Sequence, residues 1–330
     1  MNTNDLIKKC IEITGVSLKR NPNSTELCME QANGKGSMTF FSIFPGISLA
    51  YIFINSPIWP IPDLSQGNDS SSTPLLLNYC ITGRCELFLD NDSFVYLKDG
   101  QFSIANRSAQ KQYTYPLRIY EGLEFFIDID AISKQSTYIN DVFHINISKL
   151  TDLYCSLDKT YISQCTEDTK HVLSKIWELY NKEPSHAIFM MQLYTLELLQ
   201  ILLYRKHIPE PKSSTFFTAT QVEIAKKTEH IITADLRQHH PAWELAKIFS
   251  ISETSLKNYF RGIYGQNISV YLREARMNTA ANMLEKTTMP IGKISEQVGY
   301  MNQSKFASVF KLQYHMSPLE YRHKKALEKI

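Results

Sequence analysis

The sequence predicts an α+β chain in two parts: a strand-rich half that ends in a pair of helices, and an all-helical C-terminal third. Three observations predict it. Short apolar runs punctuated by turn residues fill Met38 to Asp130. Beyond Leu150 the apolar spacing turns helical. From Gln221 onward one helical pattern occurs twice, about fifty residues apart: Leu245, Ala246, Ser252, Leu256, Phe260 and Gly265, then Ile291, Ile294, Ser295, Ser304, Phe306 and Phe310. A chain of 330 residues has room for two such domains.

Taken in order, residues 1 to 36 predict irregular or weakly helical chain, with Asn33-Gly34-Lys35-Gly36 as a loop. Strands are expected over Met38–Phe44, Ile47–Asn55, Leu75–Thr82, Cys85–Leu89, Phe94–Leu97, Gln101–Ala105, Gln112–Tyr115 and Leu123–Ile129. Turns are expected at Pro45-Gly46, Thr82-Gly83-Arg84, Asp90-Asn91-Asp92 and Lys98-Asp99-Gly100, and a mobile polar loop over Leu64 to Thr73. Many short strands with regular turns predict a sandwich or a small barrel. Two amphipathic helices follow. Glu167–Tyr180 places Val172, Ile176 and Leu179 on one face, and Ser185–Tyr204 places Phe189, Leu193, Leu196, Leu199 and Leu203 near one face. This pair is expected to pack on the strands or on a second copy of the chain. The prolines and serines between His207 and Thr220 predict a linker, which gives domains over 1–207 and 221–330 with 208–220 between them.

In the C-terminal part, Ala242–Phe249 predicts a short helix with Leu245, Ala246 and Phe249 inward. Ser252 caps a second helix whose inner face is Leu256, Phe260 and Ile263 and whose outer face is Thr254, Lys257, Asn258 and Arg261. A short helix, a tight turn and a polar-faced second helix make a helix-turn-helix, whose second helix fits the major groove. A spacer helix over Ile268 to Lys286, capped by Asn267, is apolar on several sides and so is expected to touch both flanking units. At 1.5 Å per residue it spans about 28 Å, against about 34 Å for one turn of DNA. The second unit starts at Pro290, with Ile291, Ile294 and Val298 inward and Gly299 ending its first helix. Its second helix buries Phe306, Val309 and Phe310 and exposes Gln303, Ser304, Lys305, Ser308 and Lys311. Ser317-Pro318-Leu319-Glu320 is a capping box for a last helix.

Charge follows the same division. From Gln221 onward there are 16 Lys and Arg against 10 Asp and Glu, while the preceding 220 residues carry 19 against 23. A basic C-terminal part on an acidic body suits a nucleic-acid surface and argues against an architectural protein that coats DNA without sequence preference. No Cys-x-x-Cys pair occurs among Cys10, Cys28, Cys80, Cys85, Cys155 and Cys165, so reduced structural thiols are expected, and a four-Cys zinc site of an alkyl-transfer repair enzyme is excluded. A redox pair at Cys80 and Cys85 is the minor alternative. Neither a signal peptide nor a membrane span is expected, which makes a cytoplasmic protein the default.

Residues 226 to 325 resemble the DNA-binding domain of AraC/XylS-type bacterial transcription regulators. The resemblance is carried by Leu245-Ala246, Ser252, Leu256, Phe260, Gly265, Tyr271-Leu272, Arg276, Ala280, Leu284, Ile291, Ile294, Val298-Gly299-Tyr300, Ser304, Phe306, Phe310-Lys311, Ser317-Pro318 and Tyr321-Arg322. The chain departs from the family pattern at His315, Ile268 and Ser295, and His315 is expected to take a positive φ. The resemblance implies a DNA-binding regulator and no enzyme, with base-edge contacts from Thr254, Lys257 and Asn258 and from Gln303, Ser304, Lys305 and Ser308. It assigns Arg261 and Lys311 to phosphates, and Arg276 to a phosphate or a buried pair. Double-stranded DNA, RNA polymerase, a small-molecule effector and a second copy of the chain are the implied partners, with no cofactor.

The strand-rich half resembles the cupin-like sensing domains of that family. Met38 to Asp130 holds no histidine, so the ligand set of a metal-dependent cupin enzyme is missing, and His144, His171, His186 and His207 are expected to be surface or packing residues. Phe40, Tyr51, Phe53, Trp59, Tyr79, Phe88, Phe102, Tyr113, Phe125 and Phe126 either line a ligand cavity or fill the core. Arg84, Arg107 and Arg118 either anchor an anionic ligand or lie at the surface.

Overall fold

In the computed structural model a helix, α1 (Thr3–Cys10), precedes the strands β1 (Val16–Asn21), β2 (Ser24–Gln31), β3 (Gly34–Phe44), β4 (Ile47–Asn55), β5 (Ile58–Pro60), β6 (Leu75–Leu89), β7 (Ser93–Lys98), β8 (Gln101–Asn106), β9 (Gln112–Thr114) and β10 (Ile119–Ile127). There follow α2 (Ile129–Gln135), α3 (Ser148–Tyr154), β11 (Tyr161–Gln164), α4 (Glu167–Glu178) and α5 (Pro184–Leu203). The structure describes residues 3–60, 74–89, 93–106, 112–135, 138–155, 160–182, 184–205 and 216–328. The expected loop over Leu64–Thr73, the turn Asp90-Asn91-Asp92, Arg107, His207 and positions 208–215 lie outside them. The chain divides into two compact units, Met1–Phe216 and Phe217–Ile330.

The first unit is organised by β6. Its N-terminal part pairs with β10 and β8, and its C-terminal part pairs with β7 and β9, always antiparallel. One sheet therefore runs β1-β2-β3-β4-β10-β6-β8-β11 and a second runs β7-β6-β9-β5, with β6 in both. The expected turn at Thr82-Gly83-Arg84 is instead a bend inside this continuous strand. The register slips beside Gly122, and Gly83 takes φ +92, so that a Cβ there would lie 2.0 Å from the carbonyl oxygen of Ile119. A bulge with a left-handed glycine is how a strand leaves one sheet for another.

The centre of the larger sheet is buried on both faces. Ala50, Ile52 and Ile54 of β4 join Phe40, Leu76, Trp59, Leu97 and Tyr113 between the two sheets, whereas Leu49 and Tyr51 join Phe125, Phe102, Ile176 and Met191 under the helices. Double burial explains why Ile47–Asn55 is apolar almost throughout. Most of the aromatic residues divide between these cores: Tyr51, Tyr79, Phe102 and Phe125 lie on the helix side, and Phe40, Trp59, Tyr113 and Phe126 between the sheets. Phe53 is partly buried on the helix side and Phe88 is exposed. Polar side chains inside the sandwich are bonded to one another: Tyr96 donates to Glu86, Tyr113 to Glu124 at 3.2 Å, and Tyr120 to Asn78 at 2.6 Å.

Three expectations fail here for identifiable reasons. Residues before Met38 are not irregular; they form α1, β1, β2 and the start of β3. Only Leu27 and Met29 of β2 are fully buried and no residue of the edge strand β1 is, so the two strands carry little apolar alternation. Gly36 lies inside β3, where a Cβ would come within 2.8 Å of Ile54 and 3.3 Å of Trp59, so this glycine marks a close approach of neighbours. The inward face of α5 is Ala187, Met191, Thr195, Leu198, Leu199 and Leu202, while Phe189 and Leu193 of the anticipated stripe are exposed. By length and composition, His186–Leu203 passes for a membrane span, but its inner face packs on α4 and β3, where Gln192 bonds the carbonyl of Ile43 at 2.8 Å.

All six thiols are free, and burial raises the pKa of Cys80 and Cys85 well above the ordinary thiol range and that of Cys165 to about 12. Such thiols are inert packing groups. Arg84 is partly buried near Tyr96, whose ring centroid is 5.9 Å away, and Arg118 is exposed with Nη2 donating to the carbonyl of Asn33.

The second unit is helical: α6 (Ala219–Ala234), α7 (Ala242–Ile248), α8 (Glu253–Tyr264), α9 (Ile268–Lys286), α10 (Ile291–Gln297), α11 (Gln303–Tyr314) and α12 (Pro318–Leu327). α6 begins inside the span read as linker, behind a capping box in which Thr218 and Gln221 bond each other's backbone N–H. Phe217 then lies against Gly262 of α8, where a Cβ would sit 2.0 Å from its ring.

Candidate nucleic-acid interface

α7 and α8 make the first helix-turn-helix and α10 and α11 the second. Leu245 and Ala246 of α7 and Leu256, Phe260 and Ile263 of α8 are buried, as are Ile294, Ser295 and Val298 in the second unit and Phe306 and Phe310 of α11. Phe249, Ile291 and Val309 are only partly buried. One backbone bond recurs in both turns: Ile251 N–H donates to the Ala246 carbonyl at 3.1 Å, and Tyr300 N–H to the Ser295 carbonyl at 2.9 Å. Ser295 stands at a family alanine position without cost, because its hydroxyl bonds the Tyr300 carbonyl at 2.9 Å.

The second helix of each pair, α8 and α11, is capped at each end. Ser252 accepts from Ser255 N–H at 3.0 Å, and Asn302 from Lys305 N–H at 2.9 Å. Gly265 (φ +78) and His315 (φ +59) end the helices in the left-handed conformation, as expected for His315. Asn267 occupies the cap position of α9, but its side chain makes no cap bond; the Ser317–Glu320 capping box of α12 forms on both sides.

Behind α8 and behind α11 is an aromatic triad that sequence reasoning did not single out. Phe260 packs on Tyr264 and Tyr271 at centroid distances of 4.5 and 5.5 Å, and Phe310 packs on Tyr314 and Tyr321 at 4.6 and 5.5 Å. The signal was present: in both copies the three rings follow one another at the same spacing. The triads bind each groove helix to the helix that follows it, α9 or α12.

The sequence-derived residues fall on two exposed faces. Thr254, Lys257, Asn258 and Arg261 are all exposed on α8, and Gln303, Ser304, Lys305, Ser308 and Lys311 on α11. Lys257 forms a 2.5 Å ion pair with Glu253, an exposed pair that competes weakly with a DNA ligand. Ser308 donates to the carbonyl of Ser304 at 3.0 Å, which leaves its oxygen able to accept from a base. The Gln303 amide lies beside Gly292 of α10, where a Cβ would be 3.0 Å from Oε1. Arg276 of α9 is partly buried; its Nε donates to the Leu236 carbonyl at 2.8 Å and its Nη2 to the Gln238 carbonyl at 3.2 Å. α9 packs on α6, α8, α10, α11 and α12, as expected of a spacer that touches both units.

Two helix-turn-helix units around one central helix define a tandem helix-turn-helix protein. The family model described as a helix-turn-helix domain matches residues 245–324. The regulatory protein SoxS of Escherichia coli (strain K12) is 35% identical over 80 residues, which are 24% of this chain and 75% of SoxS. The lactose operon transcription activator of Staphylococcus xylosus is 28% identical over 178 residues, 51% of this chain and 61% of its own. The solved structure of ToxT from Vibrio cholerae aligns with 84% of this chain and 97% of its own at 13% identity, with a TM-score of 0.28, too loose to carry an argument. The chain belongs to the AraC/XylS family of DNA-binding transcription regulators, and its relatives are regulators rather than enzymes.

Proposed function

We propose that this chain regulates transcription by reading two neighbouring segments of one duplex, with α8 in one major groove and α11 in the next. The observation that carries the reading is the pair of exposed polar faces, Thr254, Lys257, Asn258 and Arg261 and then Gln303, Ser304, Lys305, Ser308 and Lys311, on helices anchored to one spacer. Asn258 and Gln303 suit adenine, Lys257 and Lys305 suit guanine, and Arg261 and Lys311 near the helix ends suit phosphates. RNA polymerase is the further partner on which such a regulator acts, and the cytoplasm is its place of work. Duplexes selected from a random pool and mapped by footprinting test the reading. One protected site with two short conserved segments supports it; equal affinity for scrambled duplexes overturns it.

The first unit is read as a sensor and dimerisation module. A cleft of about 370 Å³ between the β1–β2 turn and the α4–α5 junction supports the sensing part. Phe41, Leu179 and Met191 form its apolar side, and Asn23, Thr39 and Tyr180 are among its polar groups, a mixture suited to a small organic effector. The exposed Phe189 and Leu193 on α5 support self-association. Thermal-shift screening of small metabolites tests the sensor; silence across broad libraries leaves a module that only dimerises. Sedimentation as a monomer at micromolar concentration removes the dimer.

A further inference from the structure

Arg276 sits midway along α9, and its head group gathers three segments. Nε and Nη2 donate to the carbonyls of Leu236 and Gln238, in the connection between α6 and α7. The guanidinium carbon lies 5.8 Å from the centroid of the Tyr300 ring, in the turn between α10 and α11. Gly299, with φ +81, closes the same junction: a Cβ there would lie 2.4 Å from the Leu236 carbonyl oxygen and 3.0 Å from Nη2 of Arg276. The acceptor turn is itself braced, since Arg237 Nε and Nη2 each bond Asp235 at 2.9 Å. The chain entering the first helix-turn-helix, the spacer helix and the turn of the second thus meet at one side chain.

We propose that Arg276 is a positioning residue that sets the distance and rotation between the two groove helices, with its Nε and Nη2 donors serving the protein rather than DNA. Its chemistry suits the task. A planar fork satisfies two carbonyls of one turn while its delocalised charge lies over an aromatic ring, and a lysine ammonium does not provide the fork. Other bonds tie α9 to one side at a time: Tyr271 to Glu229 of α6 at 3.0 Å, and Gln313 and Tyr314 of α11 to Asn278, each at 2.8 Å. Spacing matters because each base pair added between two contacted segments rotates one against the other by roughly a tenth of a turn.

This inference rests on α8 and α11 being the reading helices. It is tested with a duplex selected from a random pool by the full wild-type chain, and with derivatives carrying one or two base pairs inserted or deleted between the two footprinted segments. Wild-type protein should bind the parent site at least about tenfold more tightly than any derivative. Arg276→Lys should flatten that preference to about threefold or less while keeping the base preferences within each segment. A phosphate contact predicts the reverse, because lysine replaces arginine well there and spacing preference survives. Arg276→Gln adds a second readout. The slope of log K against log salt should stay at the wild-type value, and a fall of about 0.9 marks a lost phosphate contact and overturns the proposal. If Arg276→Gln does not fold, the charge-conserving Arg276→Lys decides by spacing alone. A wild-type chain that selects no duplex fails the reading of α8 and α11, whereas a wild-type spacing preference in Arg276→Lys fails only the role of Arg276.

Discussion

Phe260, Tyr264 and Tyr271 recur as Phe310, Tyr314 and Tyr321, but Thr254, Lys257, Asn258 and Arg261 recur as Ser304, Ala307, Ser308 and Lys311. The rings that hold each groove helix are duplicated; the side chains that face solvent are not. Glu253, which pairs with Lys257, is matched by the neutral Gln303. The turns differ as well, because the second runs one residue longer between Val298 and the cap Asn302 than the first between Phe249 and the cap Ser252. Cover also differs. Gly262 fits against Phe217, whereas the corresponding Leu312 is 73% exposed. The contrast teaches that a common scaffold presents two unlike surfaces, so the two halves of its DNA site should differ in sequence and the site should have a direction.

The equivalence of the scaffolds is open to breakage by truncating the central ring of each triad. Phe260→Ala and Phe310→Ala should each destabilise the helical unit by about 3–5 kcal/mol in chemical denaturation followed by circular dichroism. A gap of more than about 2 kcal/mol between them would end the idea of matched frames. The unequal cover gives the next contrast. Gly262→Ala should cost about 1–3 kcal/mol by overpacking against Phe217, while Leu312→Ala stays within about 0.5 kcal/mol. On the reading surfaces, Gln303→Ala should weaken binding by about 1–3 kcal/mol, mainly at one base-pair position. Uniform loss across scrambled duplexes would count against base readout by that side chain. The smallest effect is at the left-handed ends. Gly265→Ala should lower stability by about 1 kcal/mol, and His315→Gly should raise it by a few tenths, since relief of strain is partly offset by glycine's chain entropy.

The helical unit was legible because its signals are local and redundant. Ser252 and Ser317 cap as expected, Gly265 and Gly299 terminate, and buried residues such as Leu256, Phe260 and Ile263 return with the helical period, whereas the cap expected at Asn267 makes no bond and Asn302 caps α11 instead of opening it. The exposed polar faces of α8 and α11 followed directly, as the complement of that period. What escaped notice was α6, whose capping box begins beside a Pro- and Ser-rich stretch. The strand-rich unit was harder for physical reasons. The edge strand β1 and its neighbour β2 bury too few side chains to alternate, and Gly83 looks like a turn although it serves a bulge. α5 is apolar nearly all round, so its period could not choose between the face carrying Met191 and Leu198 and the face carrying Phe189 and Leu193. Packing against β3, α3 and α4 makes that choice.

The three tryptophans have an optical consequence. Trp59 is enclosed between the sheets and Trp177 is partly covered by Tyr51 and Phe53, whereas Trp243, the indole of the helical half, is 57% exposed on α7. Emission excited at the red edge of indole absorption should therefore contain a blue component from the strand-rich half and a red component from Trp243. A quencher dissolved in the buffer would extinguish the red one first. Adding duplex DNA and watching which colour answers would report on the two halves separately, without attaching any dye.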